Sequence, residues 1–287
     1  MEISSIFTIT KKDELKDLAI GCFDGLHLAH FALFKELTDK AGILLIDKSY
    51  KYNLSPNEDK KKILNFSIFS LDFKEIKTMQ GDEFLRALKL EFKSLKKLVL
   101  GYDFRFGLNR AFSAYDVERI SGIKTVVVPE FKLDGLSVHS KLIREFLKEG
   151  KIQKANKFLG RSYSVKGKII KGQGLGSKEL VATINLDCED KYLLPKNGVY
   201  ATVTKINSKL FKSVSFVGIR NTDLNFSLET HILEDFKEEN FKEARVFFLD
   251  FLRENQKFQN LYELKKQILK DCDEASSILK KEKLNER

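Results

Sequence analysis

The chain has 287 residues, 43% hydrophobic and 32% charged, a balance that excludes a disordered chain and suggests two domains or one large one. Lys and Arg outnumber Asp and Glu by 51 to 41, a formal charge of +10 that favours anionic partners (nucleotides, nucleic acid or acidic lipid head groups) without choosing among them. Cys22, Cys188 and Cys272 form no C-x-x-C pair, which argues against zinc and a redox dithiol, and no apolar run approaches the ~18 residues of a membrane span.

The opening "MEISSIFTITKKDELKD" carries acids early and lacks an uninterrupted apolar core, so it does not read as a secretory signal; a cytoplasmic protein is expected. Next, "DLAIG" (17–21) reads as a buried strand and "HLAHFALFKELTDKAG" as a helix ending at Gly42. "ILLIDK" (43–48) is strand-like, and "SPNEDKKKILNF" (55–66) starts a helix with Ser55 as cap and Pro56 at the first helical position. "GDEFLRALKLEF" is a helix, while "KKLVLG" and "KTVVVPE" are strands. This alternation predicts a parallel sheet flanked by helices, with ligands beyond the carboxyl ends of the strands.

"SVHSKLIREFLKEGKIQKANKFLGR" (137–161) reads as two helices, with Gly150 and Gly160 where C-caps belong. Beyond it, "YSVKGKIIK", "GVYATVTKIN", "FKSVSFVGIR", "FSLETHIL" and "ARVFFLDFL" are short β segments in series, the pattern of a closed or nearly closed barrel. "LYELKKQILKD" is an amphipathic helix. The expected domains are 1–160 and 161–287.

Two stretches carry candidate chemistry. In "GCFDGLHLAH", two of the four histidines, His27 and His30, stand at i and i+3 on the first turn of a helix that follows a strand and a glycine corner. A helix start offers free amides and a partial positive charge, so the segment reads as a candidate phosphate site in which two imidazoles would donate to phosphate oxygens. The same spacing also describes histidines that merely cap or pack on a helix. In "KGQGLGSKELVATINLD" (171–187), Gly172, Gly174 and Gly176 would let backbone amides approach phosphate. No Walker lysine and no following helix pattern accompany them, and a flexible β-loop fits the glycines equally.

"GCFDGLHLAH" resembles the G-x-F-D-G-x-H-x-G-H motif of the prokaryotic bifunctional riboflavin kinase/FAD synthetases. "LSPNEDK" (54–60), "GYDFRFG" (101–107) and "VHSKLIREFLKEG" (138–150) resemble that family's further N-terminal motifs, in order. "VATINL" stands at its P-T-A-N motif, and "LLPKNGVYATV" (193–203), "SFVGIRNTD" (215–223), "LETHIL" (228–233) and "RVFFLDFLRENQKFQNLYELKKQILKD" (245–271) at its C-terminal ones. The departures include Ala29 for the glycine of H-x-G-H, His139, Ser140 and Lys141 for a Ser-Ser-Thr run, "LIDKSYKYN" for an F-x-P-H-P segment, and Ala182 and Ile184 for the proline and alanine of P-T-A-N.

The resemblance implies an α/β plus β fold: a Rossmann-like nucleotidylyltransferase domain with a parallel sheet, then a riboflavin-kinase β-barrel with a terminal helix. It implies phosphorylation of riboflavin to FMN by ATP, and adenylylation of FMN to FAD with pyrophosphate leaving. His27 and His30 would hold the triphosphate. Phe23, Asp24 and Gly25 would shape the corner, and Ser140 and Arg144 would bind phosphate, as would the three glycines of 172–176. Asp103, Phe104 and Phe106 would line a nucleotide or flavin pocket, with Arg253 on the flavin phosphate. Thr183 and Asn185 would hold Mg²⁺, and Glu229 would be the kinase base. The implied partners are riboflavin, FMN and ATP, with neither nucleic acid nor membrane. Two alternatives stay open: a riboflavin kinase with a degenerate N-terminal domain, and a non-catalytic flavin- or nucleic-acid-binding regulator.

Overall fold

The computed structural model of the protein describes residues 12–170, 183–188, 191–219, 226–234 and 241–280. They pack as two compact units divided between Ser140 and Lys141. No helix among the described residues is long and apolar enough to cross a membrane.

The first unit alternates strand and helix. Its elements are β1 (Asp17–Gly21), α1 (Leu28–Phe34), β2 (Ala41–Asp47), α2 (Asn57–Ile63), β3 (Ser67–Asp72), α3 (Phe73–Ile76), α4 (Gly81–Glu91) and β4 (Lys97–Gly101). A short hairpin of β5 (Arg105–Phe106) and β6 (Phe112–Ser113) follows, then α5 (Val117–Ser121), β7 (Lys124–Val128) and a second hairpin of β8 (Lys132–Leu133) and β9 (Leu136–Ser137). The sheet order is β3-β2-β1-β4-β7, and every pairing in it is parallel. Period-two alternation sends Leu18, Ile20, Leu44, Leu98 and Leu100 to one apolar layer and Ala19, Ile43, Leu45 and Val99 to the other. Both faces are therefore covered, as a parallel sheet requires.

The helix expected to run to Gly42 is corrected to the seven residues of α1. Two things end it early. The Thr38 amide donates to the Asp17 carboxylate at 2.9 Å, which draws the chain out of the helical path. Gly42 lies inside β2 instead, where a Cβ would meet Leu15 Cδ1 at 2.9 Å and Phe69 Cε2 at 3.0 Å, so the glycine serves close packing rather than a helix end. The start of α2 is also shifted: Pro56 is the cap residue and Ser55 lies before it. The edge strand β3 and the two hairpins have no counterpart among the expected elements, being short and only partly buried.

Helix α6 (Ser140–Lys148) starts on the last residue of the first unit and continues from Lys141 in the second, followed by α7 (Ile152–Leu159). Then come β10 (Tyr163–Ile170), β11 (Ile184–Asp187), β12 (Gly198–Ile206), β13 (Lys209–Ile219), β14 (Phe226–Ile232), β15 (Glu243–Arg253) and α8 (Leu261–Leu279). The six strands close into a barrel, β10-β11-β14-β13-β12-β15, with antiparallel pairing throughout. The division at 140 and the boundary expected at 160 differ by α6 and α7, and both helices are tied to the barrel unit. Leu147 O of α6 accepts the Lys196 amide at 2.9 Å. Asn156 of α7 donates to Phe248 O at 2.8 Å and accepts from Tyr163 N at 2.7 Å.

Helix α8 covers the outside of the barrel. Its Ala275 and Leu279 pack with Val199, Ala201, Val203 and Val214. Alternation then sends the intervening residues of β12 and β13 inward. Arg253, the last residue of β15, clamps the helix: its Nε and Nη2 donate to the two Asp271 oxygens at 2.8 and 2.6 Å. Gln267 adds a third bond to the same carboxylate at 2.8 Å.

The Asp17 carboxylate carries a measurable share of the first unit's stability. Besides Thr38 it receives the Lys97 ammonium at 2.9 Å. Burial works to raise its pKa, but the bonds from Lys97 and Thr38 outweigh burial and hold it below the ordinary value. A depressed pKa means that the stabilisation is present above the ordinary carboxylate pKa of about 4 and is lost as pH falls through the lower folded value. Asp17→Asn should lower stability by roughly 2–3 kcal/mol in urea unfolding at neutral pH. The difference from the parent should shrink on acidification; a constant gap down to the acid limit would contradict this assignment.

Candidate functional site

In the first unit, chemistry gathers where β1 ends. Phe23 and Leu26 take positive φ angles of 45° and 43°, and Gly25 lies at 85°. Two non-glycine residues in this region cost about 1–3 kcal/mol each, a strain that packing must hold in place. Packing does so: both side chains are buried, and Phe23 meets His30 edge-on at 5.1 Å and Phe34 at 5.0 Å. His27 is the N-cap residue of α1, in extended conformation, and His30 lies one turn on. Their rings stack with centroids 3.5 Å apart and planes 18° from parallel. Nδ1 of each ring is shielded from solvent. The i, i+3 pair is thus brought together as expected.

Asp24 is 6% exposed. Its Oδ1 accepts the amides of Leu54 and Ser55 at 2.9 and 3.3 Å, which binds the corner to the loop before α2. Its backbone carbonyl accepts the Ser140 hydroxyl at 2.7 Å. Ser140 therefore reaches the same corner from 116 residues away in sequence. Arg144, one turn along α6, belongs to the second unit.

Lys60 was missed as a site residue although it ends "LSPNEDK". It is 4% exposed, and its Nζ donates to Cys22 O at 2.9 Å and to Asn57 Oδ1 at 3.1 Å. Burial pushes the ammonium below the ordinary lysine range, offset in part by the charges of Asp24, Cys22 and Asp47. It is the first of three consecutive lysines, which read as a solvated run. The available signal was Asn57 at i−3, which puts the two on one face of α2.

The residues of "GYDFRFG" separate. Asp103 is exposed and Phe104 half-buried. Phe106 is buried in the core beside Phe84 at 6.0 Å and Phe112 at 5.5 Å, with Phe104 stacked on it at 5.9 Å.

In the second unit, Asn185 on β11 stands directly opposite Glu229 on β14, and Glu229 stands opposite Phe216 on β13. Cross-strand partners share a face, so these three form a row across the outside of the barrel. Thr183, two residues before Asn185, lies on the same side where the extended chain continues. Asn185 is buried, and Glu229 and Thr183 are half-buried. His231 follows Glu229 on the outer face by the same alternation. Gly172, Gly174 and Gly176 lie outside the described residues. Arg253 is brought to Asp271 rather than to this row, and its guanidinium also donates to Glu254 O at 3.0 Å.

Comparison with known proteins agrees with this division. A FAD synthetase family model matches residues 9–142, and a riboflavin kinase model matches residues 159–279. The chain is 28% identical to a bifunctional riboflavin kinase/FMN adenylyltransferase of Listeria monocytogenes, over 93% of each chain. It is 28% identical to the protein of that description from Haemophilus influenzae, over 91% of this chain and 93% of the relative. Against its Escherichia coli counterpart it is 24% identical over 88% and 90%. A solved structure from Streptococcus pneumoniae, described as a macrolide-efflux protein, shares the fold with a TM-score of 0.82 at 21% identity, over 92% of this chain and 94% of that one. With a parallel-sheet unit under one model, a closed barrel under the other and relatives aligned along nearly its whole length, the chain belongs to the bifunctional riboflavin kinase/FAD synthetase family.

Proposed function

We propose that the chain makes FMN and then FAD: its barrel unit phosphorylates riboflavin with ATP, and its parallel-sheet unit adenylylates FMN and releases pyrophosphate. The observation that carries the reading is the outer row of the barrel, in which a carboxylate and a carboxamide face one another across β11 and β14.

In the kinase step, Glu229 accepts the proton of riboflavin's terminal ribityl hydroxyl. The hydroxyl oxygen forms its bond to the γ-phosphorus of ATP while the bond to the β–γ bridging oxygen breaks, and ADP leaves. The donor set of the row suits a hard cation: the Thr183 hydroxyl and the Asn185 carboxamide offer neutral oxygens. Among the described residues no group of three or more His, Cys, Asp or Glu could hold a metal ion. Mg²⁺ is commonly held by a few protein oxygens together with substrate phosphates. Mg²⁺, when bound, neutralises phosphate charge; Thr183 and Asn185 would hold it.

In the adenylyl transfer, an FMN phosphate oxygen attacks the α-phosphorus of ATP, and the bond to pyrophosphate breaks. No covalent bond to the protein is needed, so positioning and charge stabilisation account for the rate. His27 and His30 donate to phosphate oxygens from one stacked pair. Lys60 adds a positive charge beneath the corner and holds the Cys22 carbonyl in place. Asp24 acts through its carboxylate, which accepts the Leu54 and Ser55 amides and keeps the corner closed on that loop.

Chromatographic time courses test the reading. Riboflavin, ATP and Mg²⁺ should yield FMN and then FAD; FMN, ATP and Mg²⁺ should yield FAD alone. Absence of FAD in both would overturn the adenylyltransferase half, and absence of FMN in the first would overturn the kinase half. His27→Ala should lower FAD formation by about 10²-fold, the scale of losing one oriented donor to developing charge, and leave FMN formation unchanged. Unaltered FAD synthesis would remove His27 from the mechanism. Glu229→Gln should reduce riboflavin phosphorylation by about 10²–10⁴-fold while supplied FMN is still adenylylated. Full kinase activity in that variant would exclude Glu229 as the base.

A further inference from the structure

The interior of the barrel contains an unbroken chain of hydroxyls. Thr204 is 2.8 Å from Ser213, Ser213 is 2.8 Å from Thr202, Thr202 is 2.8 Å from Ser215, and Ser215 is 2.8 Å from Thr230. All five residues are fully buried. They span β12, β13 and β14, on the face turned away from α8. Apolar side chains of like size would fill the same space, so volume alone does not explain five hydroxyls. Each must instead be satisfied by its neighbours, because an unmet buried hydroxyl costs about 1–3 kcal/mol.

The chain ends at Thr230, which lies between Glu229 and His231. On β14 the inward set is Leu228, Thr230 and Ile232, all buried, and the outward set includes Glu229. A slip of one residue in the pairing of β14 would exchange the two sets: Glu229 would point into the barrel and Thr230 to the outside. Burial of Leu228 and Ile232 opposes that slip but not a slip of two residues, which keeps both inside and moves Glu229 away from Asn185. The hydroxyl bond between Ser215 and Thr230 distinguishes these registers, because it is met only with Thr230 opposite Ser215, as in the structure.

We infer that Thr230 and Ser215 are positioning residues for the kinase reaction: their bond, continued through Thr202, Ser213 and Thr204, sets the register of β14 that presents Glu229 beside Asn185. The inference rests on the reading of Glu229 as the base. Displacement of a reacting group by about 1 Å costs on the order of 10²-fold in rate, so a loosened register acts on kcat rather than on substrate affinity.

The test compares Thr230→Val, Thr230→Ser, Ser215→Ala and the Ser215→Ala/Thr230→Val double variant in the full chain. FMN formation, thermal unfolding and adenylylation of supplied FMN are measured for each, with Glu229→Gln alongside. Thr230→Val and Ser215→Ala should lower kcat for riboflavin phosphorylation by about 10- to 100-fold with KM for riboflavin and ATP unchanged. Thr230→Ser, which keeps the hydroxyl, should retain parent kcat even where Thr230→Val does not fold. The double variant removes both partners, so it should regain thermal stability without regaining kcat. Parent kcat in Thr230→Val, or kcat that returns together with thermal stability in the double variant, overturns the inference and leaves the hydroxyls a packing role. Full activity in Glu229→Gln removes the base itself, and with it what Thr230 would position; its inactivity beside an active Thr230→Val overturns the positioning role alone.

Discussion

The Asp24 carboxylate lies almost out of solvent beyond the end of β1 and takes the amides of Leu54 and Ser55, beyond the end of β2. Those two strands are neighbours in a parallel sheet, so their carboxyl ends open on the same edge. Parallel strands cannot be joined by a tight turn, and the loops at that edge are anchored by side chains instead. Asp24 is one anchor and Lys60 the other, the lysine reaching back to the carbonyl of Cys22. Between them they fix a corner in which Phe23 and Leu26 hold strained backbone and His27 and His30 stack. A buried acid and a buried lysine thus build the walls of the corner that holds the stacked imidazoles.

The barrel reaches the same end by a different route. Its strands carry two chemistries at once because successive residues point to opposite sides. The interior of β12, β13 and β14 is filled by small hydroxyls bonded to one another, and the exterior holds Asn185, Phe216 and Glu229 in a row. Helix α8 covers the neighbouring outer face and is clamped to the end of β15 by the fork of Arg253 on Asp271. Two parallel donors on two oxygens fix both distance and orientation, which a single ion pair does not.

Much of this was legible in the amino-acid sequence, and the remainder had physical reasons to be hidden. The alternation of strand and helix up to residue 128 and the series of β segments after Tyr163 announced both architectures, because burial on two faces and on one face leave different periodicities. The His27–His30 pair was readable from its spacing. Its corner was not, since the partners of Asp24 are backbone amides 30 and 31 residues away. Lys60 hid in a lysine run, and β3 hid because an edge strand has only one neighbour to satisfy. Phe106 and Arg253 were read through motif position. Burial among phenylalanines and the partnership with Asp271 are long-range facts that no local window contains.

The two units differ in one further respect, which bears on how the chain survives its own synthesis. A closed barrel has no open edge, so its strands offer no template to another molecule. The parallel sheet has two such edges, β3 and β7. β7 ends in three consecutive valines, a run suited to intermolecular pairing while the sheet is incomplete. The finished fold blunts it from within: the Glu118 carboxylate accepts the Thr125 amide at 3.1 Å. Lys124 begins the strand with a charge. On a ribosome the first unit emerges ahead of the second. Until Glu118 has docked on it, the edge of β7 is open to pairing with another chain.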